Sequence, residues 1–266
     1  MTEPFFHLLP PLPDDPEDTE RVAATHSTSG PWFDGVQHMG PPSALLVRAM
    51  ERCGARESMR LARLSVNVLG PVPVGELTVS ARIDRPGRTI ELVSAELRAD
   101  GRAVAIASGW RHGVTDTAAA ATDPGPAMPM PEHGHALPRP DGWLPGYLDA
   151  VEWRWLSGRL DEPGPAQVWG RLHVPVVDGE QPTAWQRLAS FADSANGAGA
   201  RLDLNKWLFL NTDLSMHLHR APAGEWFGLD ADSEIGPDGA GTSFARLHDE
   251  DGPLGRVALA LTVRPR

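Results

Sequence analysis

Two helical stretches and a series of alternating stretches organise this chain. Pro41-Pro42-Ser43-Ala44-Leu45-Leu46-Val47 opens the first helix, because proline is tolerated in a first helical turn and an apolar run follows at once. Ala44, Leu45, Leu46, Val47, Ala49, Met50 and Cys53 leave almost no polar face, so this helix needs cover on most sides, and Gly54 is its stop. In the second helix, Thr183 and Gln186 have capping-box spacing, and Trp185, Leu188, Ala189 and Ala192 form an i, i+3, i+4, i+7 stripe. Asp193 lies on the edge of that stripe, and Asn196-Gly197-Ala198-Gly199 ends the helix. Alternation predicts strands at residues 60–69, 77–83, 89–98 and 103–110, with turns at Gly70-Pro71, Arg85-Pro86-Gly87 and Asp100-Gly101. A short strand is expected at 21–28 and a long one at 207–220. In the long one, Asn211, Asp213, Ser215, His217 and His219 share one phase, and Thr212 is the polar member of the other.

The pattern repeats. Leu64-Ser65-Val66 parallels Leu214-Ser215-Met216 at an offset of 150 residues, and Asp100-Gly101 parallels Asp251-Gly252 at 151. The expected organisation is therefore a first repeat over 1–112 with an extended N-terminal arm, a Pro/Ala-rich connector over 113–146, and a second repeat over 147–266. Phe5 and Phe6 are the candidates for pinning the arm down.

Composition narrows the functional classes. Forty-one per cent hydrophobic and 22% charged residues describe a globular chain, and no apolar run approaches the ~20 residues of a membrane helix. The acidic, Pro-rich start lacks the features of a signal or transit peptide, so a cytoplasmic location is expected. A net charge of -11 without a basic run opposes nucleic-acid and membrane partners. The single cysteine, Cys53, rules out an intrachain disulfide and is read as a small core residue. His133 and His135 are read as solvated, His217 and His219 as solvent-facing or interface residues, and no metal site is expected. There is no G-x-S-x-G elbow, P-loop or dinucleotide fingerprint.

Asp193 is the best-placed acid. A carboxylate at the edge of a buried stripe is either paired or raised in pKa by desolvation. It reads equally as a general base that orients water or as a structural acid fixing the next turn, with Asn211 or Thr212 able to hold a water beside it.

The runs Gly30-Pro31-Trp32, QHMGPPSALLVRAME from Gln37, QRLASFADSANG from Gln186 and FLNTDLSMHLHR from Phe209 together resemble the acyl-CoA thioesterase II family and its actinobacterial relatives. The resemblance implies an α+β double hot-dog fold: two tandem repeats, each a long apolar helix wrapped by an antiparallel sheet. It also implies hydrolysis of an acyl-CoA or other acyl thioester in fatty acid metabolism, with no cofactor. A helix Asp activates the water in that family, helped by a polar residue on the next strand and a Gln on the last strand. The Asp matches Asp193 and the strand residue matches Asn211, with Thr212 adjacent, while the place of the Gln falls at Leu259 or Ala260. Its loss favours a rival reading, a non-catalytic acyl-CoA or acyl-chain binding protein. On the same resemblance, His38, Met39 and Gly40 border the site, Gly40 offering an oxyanion donor, and Trp207, Phe209 and Leu259 contribute to acyl binding. Free sheet edges and faces leave homo-oligomers open.

Overall fold

A computed structural model describes residues 3–14, 16, 18–140 and 143–266, so parts of the expected arm and connector, at residues 1, 2, 15, 17, 141 and 142, lie outside the described residues. The first helix, α1 (Gly40–Arg52), starts with prolines at its first positions and is buried from Gly40 through Met50. Prolines remove two of the amides that a helix start leaves without partners, which suits an end shut inside the protein. One charge is buried with it. Arg48, 1% exposed, donates to Glu180 at 2.7 and 2.8 Å and also to Glu20. A buried guanidinium without such partners would be very unfavourable.

The second helix is shorter than expected: α2 (Ala184–Ala192) stops before Asp193, and a single turn, α3 (Ala195–Ala198), follows. Thr183 Oγ1 accepts the Gln186 amide at 3.2 Å, one half of the expected capping box. The other half is absent because the Gln186 side chain donates instead to Glu51, at the end of α1, at 2.7 Å.

In chain order the strands are β1 (Phe6–Leu9), β2 (Thr19–Ala24), β3 (Met59–Val68), β4 (Glu76–Arg85), β5 (Ile90–Ala99), β6 (Arg102–Gly113), β7 (Val151–Arg159), β8 (Glu162–Leu172), β9 (Trp207–Asn211), β10 (Asp213–Leu218), β11 (Phe227–Ile235), β12 (Ala240–Asp249) and β13 (Gly252–Pro265). They form one antiparallel sheet in the order β1-β2-β4-β5-β6-β3-β10-β13-β12-β11-β8-β7, with β9 also on β13. The order is a palindrome of equivalent strands. At its centre Ser65 faces Ser215, 150 residues later, and their hydroxyls are 2.9 Å apart. A local two-fold axis therefore crosses the sheet between two copies of one unit. Alternate residues such as Val93, Ala95 and Leu97 on β5 and Val257, Leu259 and Leu261 on β13 face the helices and are buried. This is the double hot-dog architecture.

Three details differ from the expectations. The first strand ends at Ala24, and His26–Thr28 form a 3-10 turn whose cap, Thr25, accepts the Ser27 amide. Two strands, β7 and β8, precede the second helix where the repeat called for one, and this hairpin closes the far end of the sheet as β1–β2 closes the near end. The long strand at 207–220 is broken at Thr212. Asn211 faces Leu261 while Ser215 faces Ala258, so Thr212 is an extra residue in the ladder, a β-bulge. The bulge moves Asn211 out of phase with Asp213 and onto the inner face with Leu214 and Met216. An equivalent register shift occurs in β3, between Leu61 and Arg63. Phe5 and Phe6 are fully buried, their amides bonded to Pro175 and Val176 carbonyls. Among the described residues, no helix is long and apolar enough to cross a membrane.

Candidate active site

The end of α2 meets the start of α1. The fit is close enough that a Cβ at position 40 would overlap the Ser190 carbonyl oxygen, so glycine is needed there. Asp193, 3% exposed, lies at this junction. Its Oδ1 accepts the Asn211 side-chain amide at 2.9 Å, and its carboxylate takes the main-chain N–H groups of Met39 and Gly40. These donors oppose the effect of burial without cancelling it, and burial raises the Asp193 pKa to about 7.

His38 Nδ1 lies 3.1 Å from Asp193 Oδ2 and 3.0 Å from the Gly40 amide. Burial holds its pKa down to about 3, so near neutrality the contact is a hydrogen bond between a neutral imidazole and the carboxylate, not an ion pair. One ring nitrogen cannot both accept from Gly40 and donate to Asp193. When Asp193 is ionised, the tautomer with hydrogen on Nδ1 serves the carboxylate, and the Gly40 amide turns to Asp193 as well. The imidazole stacks on Tyr147, with centroids 3.9 Å apart and planes 11° apart. The Tyr147 hydroxyl donates to Ser190 O at 2.8 Å and lies 3.1 Å from Ser194 Oγ, which fixes the stack to α2.

Asp193, Asn211, His38 and Met39 open onto a cavity of about 260 Å³ between the two repeats, walled by Trp32, Phe33, Gln37, Leu69, Val72 and Asn196 among others. The other expected site residues lie elsewhere. Thr212 is exposed on the outer side of its bulge, its amide on Ala260 O at 2.9 Å. Trp207 is half-buried at the far end of β9, opposite Pro265, and does not line the cavity. Phe209 sits behind the wall, edge-on to Trp32 with centroids 5.0 Å apart. Leu259 is core, Ala260 is exposed, and the inward residue opposite Asn211 is Leu261. The Gly40 amide is directed at His38 and Asp193, so it is not free as an oxyanion donor.

Sequence reasoning missed Phe33, Gln37, Asn196 and Tyr147 as site residues. Gln37 is 5% exposed; its Nε2 donates to Pro73 O at 2.7 Å, while its buried Oε1 has no partner. Tyr147 is the single tyrosine of the chain, the one signal that could have drawn notice. Among the described residues, no group of three or more His, Cys, Asp or Glu side chains could hold a metal ion.

A family model described as the acyl-CoA thioesterase N-terminal domain matches residues 28–112, and one described as the C-terminal domain matches 131–262. No match was found among curated proteins. Among solved structures, a conserved protein of unknown function with a hot-dog fold from Alicyclobacillus acidocaldarius is similar at 14% identity and TM-score 0.75, covering 94% of each chain. The tesB protein of Mycobacterium avium subspecies paratuberculosis is similar at 17% identity and TM-score 0.67, covering 93% of each. An acyl-CoA thioesterase II from Mycobacterium marinum is similar at 17% identity and TM-score 0.62, over 94% of this chain and 92% of that one. These identities speak for the fold alone. The two family models span both repeats and include Asp193, Asn211 and His38, and on that ground the chain belongs to the acyl-CoA thioesterase family.

Proposed function

We propose that this chain hydrolyses acyl thioesters, with Asp193 as the general base. One observation carries the reading: a buried carboxylate, raised to about 7, is held by Asn211 of one repeat and the helix start of the other at the wall of a largely apolar cavity. A base with a pKa near the working pH combines a useful ionised fraction with real proton affinity. Water placed between Asp193 and Asn211 gives its proton to Asp193 as its oxygen bonds to the thioester carbon. Collapse breaks the C–S bond, and the proton on Asp193 passes to the departing thiolate, leaving a carboxylic acid and a thiol. His38 keeps the carboxylate oriented, itself fixed by Tyr147.

Turnover of a panel of acyl-CoA esters, followed by free thiol release, tests this reading. Wild type is expected to turn over and Asp193→Ala to fall by ~10²–10⁴-fold. An unchanged rate in the variant removes Asp193 from the mechanism. Leu261 favours a second reading, an acyl-binding protein without catalysis, because an apolar side chain stands opposite Asn211 where a further polar group could hold the water. Binding without turnover would establish that reading.

A further inference from the structure

A buried aromatic stack lies behind the Asp193–His38 pair, and the N-terminal arm reaches it. Phe5, fully buried, packs its ring on Tyr147 with centroids 6.1 Å and planes 29° apart. Tyr147 stacks on His38 in turn, and the Trp153 ring meets Tyr147 edge-on at 6.5 Å. A series of contacts therefore runs from Phe5 through Tyr147 and His38 to the Asp193 carboxylate. Phe5 and Tyr147 do not line the cavity, whereas His38 and Asp193 do.

Phe5, Tyr147 and His38 also hang on one short piece of backbone, the turn at 25–29. The Thr25 N–H donates to Phe5 O at 2.9 Å, and the Thr25 hydroxyl donates to Pro4 O at 2.5 Å. Thr28 O accepts the His38 N–H and Ser29 O accepts the Tyr147 N–H, both at 2.9 Å. The fit at Tyr147 is tight: a Cβ on Gly146 just before it would come within 2.6 Å of Ser29 O. From the second repeat, Pro175 O accepts the Phe5 N–H at 3.1 Å and Val176 O the Phe6 N–H at 3.0 Å. The arm is thus clamped between the repeats with one ring directed at the stack. Phe6 is equally buried and, among the described residues, makes no ring contact with Tyr147.

Close-packed interiors pass a displacement on to the next side chain. Part of the Phe5 ring volume left empty lets the Tyr147 ring tilt about its hydroxyl, which stays bonded to Ser190 O. The imidazole of His38 then loses the wall that fixes its plane. We propose that Phe5 is a positioning residue, so that the N-terminal arm serves the active site by acting on Asp193 through Tyr147 and His38 without touching substrate. The kinetic consequence rests on the hydrolase reading above; the structural one does not.

Phe5→Leu and Phe6→Leu remove the same ring from adjacent buried positions and so separate positioning from stability. Both are expected to lower Tm. Phe5→Leu alone is expected to lower kcat, by ~10-fold, with KM for an acyl-CoA ester within ~twofold of wild type. Thr25→Val, which frees Pro4 and leaves the aromatic core whole, is expected to lower kcat by ~3-fold and decides the matter if Phe5→Leu does not fold. A second readout is the nuclear magnetic resonance signal of the His38 Hε1 proton, assigned by its loss in His38→Gln. Stacking on Tyr147 shields this proton; Phe5→Leu is expected to move it downfield and Phe6→Leu to leave it in place. Unchanged kcat in Phe5→Leu, or equal losses in the two leucine variants, overturns the proposal. A fall in kcat with the His38 signal unmoved overturns the route through Tyr147. If the wild-type protein hydrolyses no acyl-CoA ester, the hydrolase reading falls, and the His38 signal alone upholds or overturns the placement by Phe5.

Discussion

At the scale of single residues, Asp193 sets two opposed pH dependences. Burial raises its pKa to about 7, so the folded chain keeps a proton there that an unfolded chain releases near pH 4. The stability linked to this group is present below about pH 4 and lost as pH rises through about 7. Asp193→Asn is therefore expected to raise Tm relative to wild type at pH 8 and to change it far less at pH 4, as calorimetry can measure. Activity runs the other way, because the base must be ionised. The wild-type rate is expected to climb about tenfold per pH unit below about pH 7 and to flatten above it. Asn211 and Thr212 are adjacent in sequence and opposite in consequence. Asn211→Ala is expected to lower kcat by ~10–100-fold through lost positioning of Asp193 and water, whereas Thr212→Ala, on an exposed side chain, is expected to change it less than about twofold.

At the scale of elements, the bulge at Thr212 separates those two outcomes. Deleting Thr212 outright should restore an unbroken ladder with Asn211 still opposite Leu261 on the inner phase, so the deletion is expected to cost far less activity than Asn211→Ala. Kinetics of the deletion variant, alongside circular dichroism to confirm the fold, check this. The same bulge marks the limit of what one sequence discloses. The helices were legible because their apolar periodicity is local, and Asp193 was legible as a polar interruption at the edge of a stripe. The register shift was not, because it depends on which residue of β13 faces each residue of β9 and β10. Unbroken alternation consequently gave Thr212 the inward phase and Asn211 the outward one. The walls were missed for a related reason. Phe33 and Gln37 lie in an irregular segment before α1, without periodicity, and that segment is placed by bonds to a distant loop of its own repeat, Gln37 N–H to Val72 O at 2.8 Å and Gln37 Nε2 to Pro73 O at 2.7 Å.

At the scale of the whole molecule, the two repeats hold two related sites that have diverged. Glu51 ends α1 beside the start of α2, as Asp193 ends α2 beside the start of α1, and a cavity of about 570 Å³ adjoins it. Its surroundings differ. At a separation of 150 residues, Leu61 stands where Asn211 does, and Arg111 where Leu261 does. Arg111 fills its space with bonds to Glu91 and to the Met50 and Cys53 carbonyls, and the Glu51 carboxylate is occupied by Thr183 and Gln186. Calorimetric titration with a thioether substrate analogue is thus expected to give one binding event per chain, abolished by no change at Glu51.

The connector adds a different consequence. Residues 114–124 are exposed, whereas Met128 is buried and Pro129 O accepts the Trp169 indole N–H at 2.8 Å. The halves are held by the seam at Ser65 and Ser215, by the packed helices and by Arg48 with Glu180, none of which needs the peptide link. The link acts as a tether that sets effective concentration. A single protease nick within 114–124 should leave the halves co-eluting as a non-covalent heterodimer, with the unlike contributions to the Asp193 centre still in place.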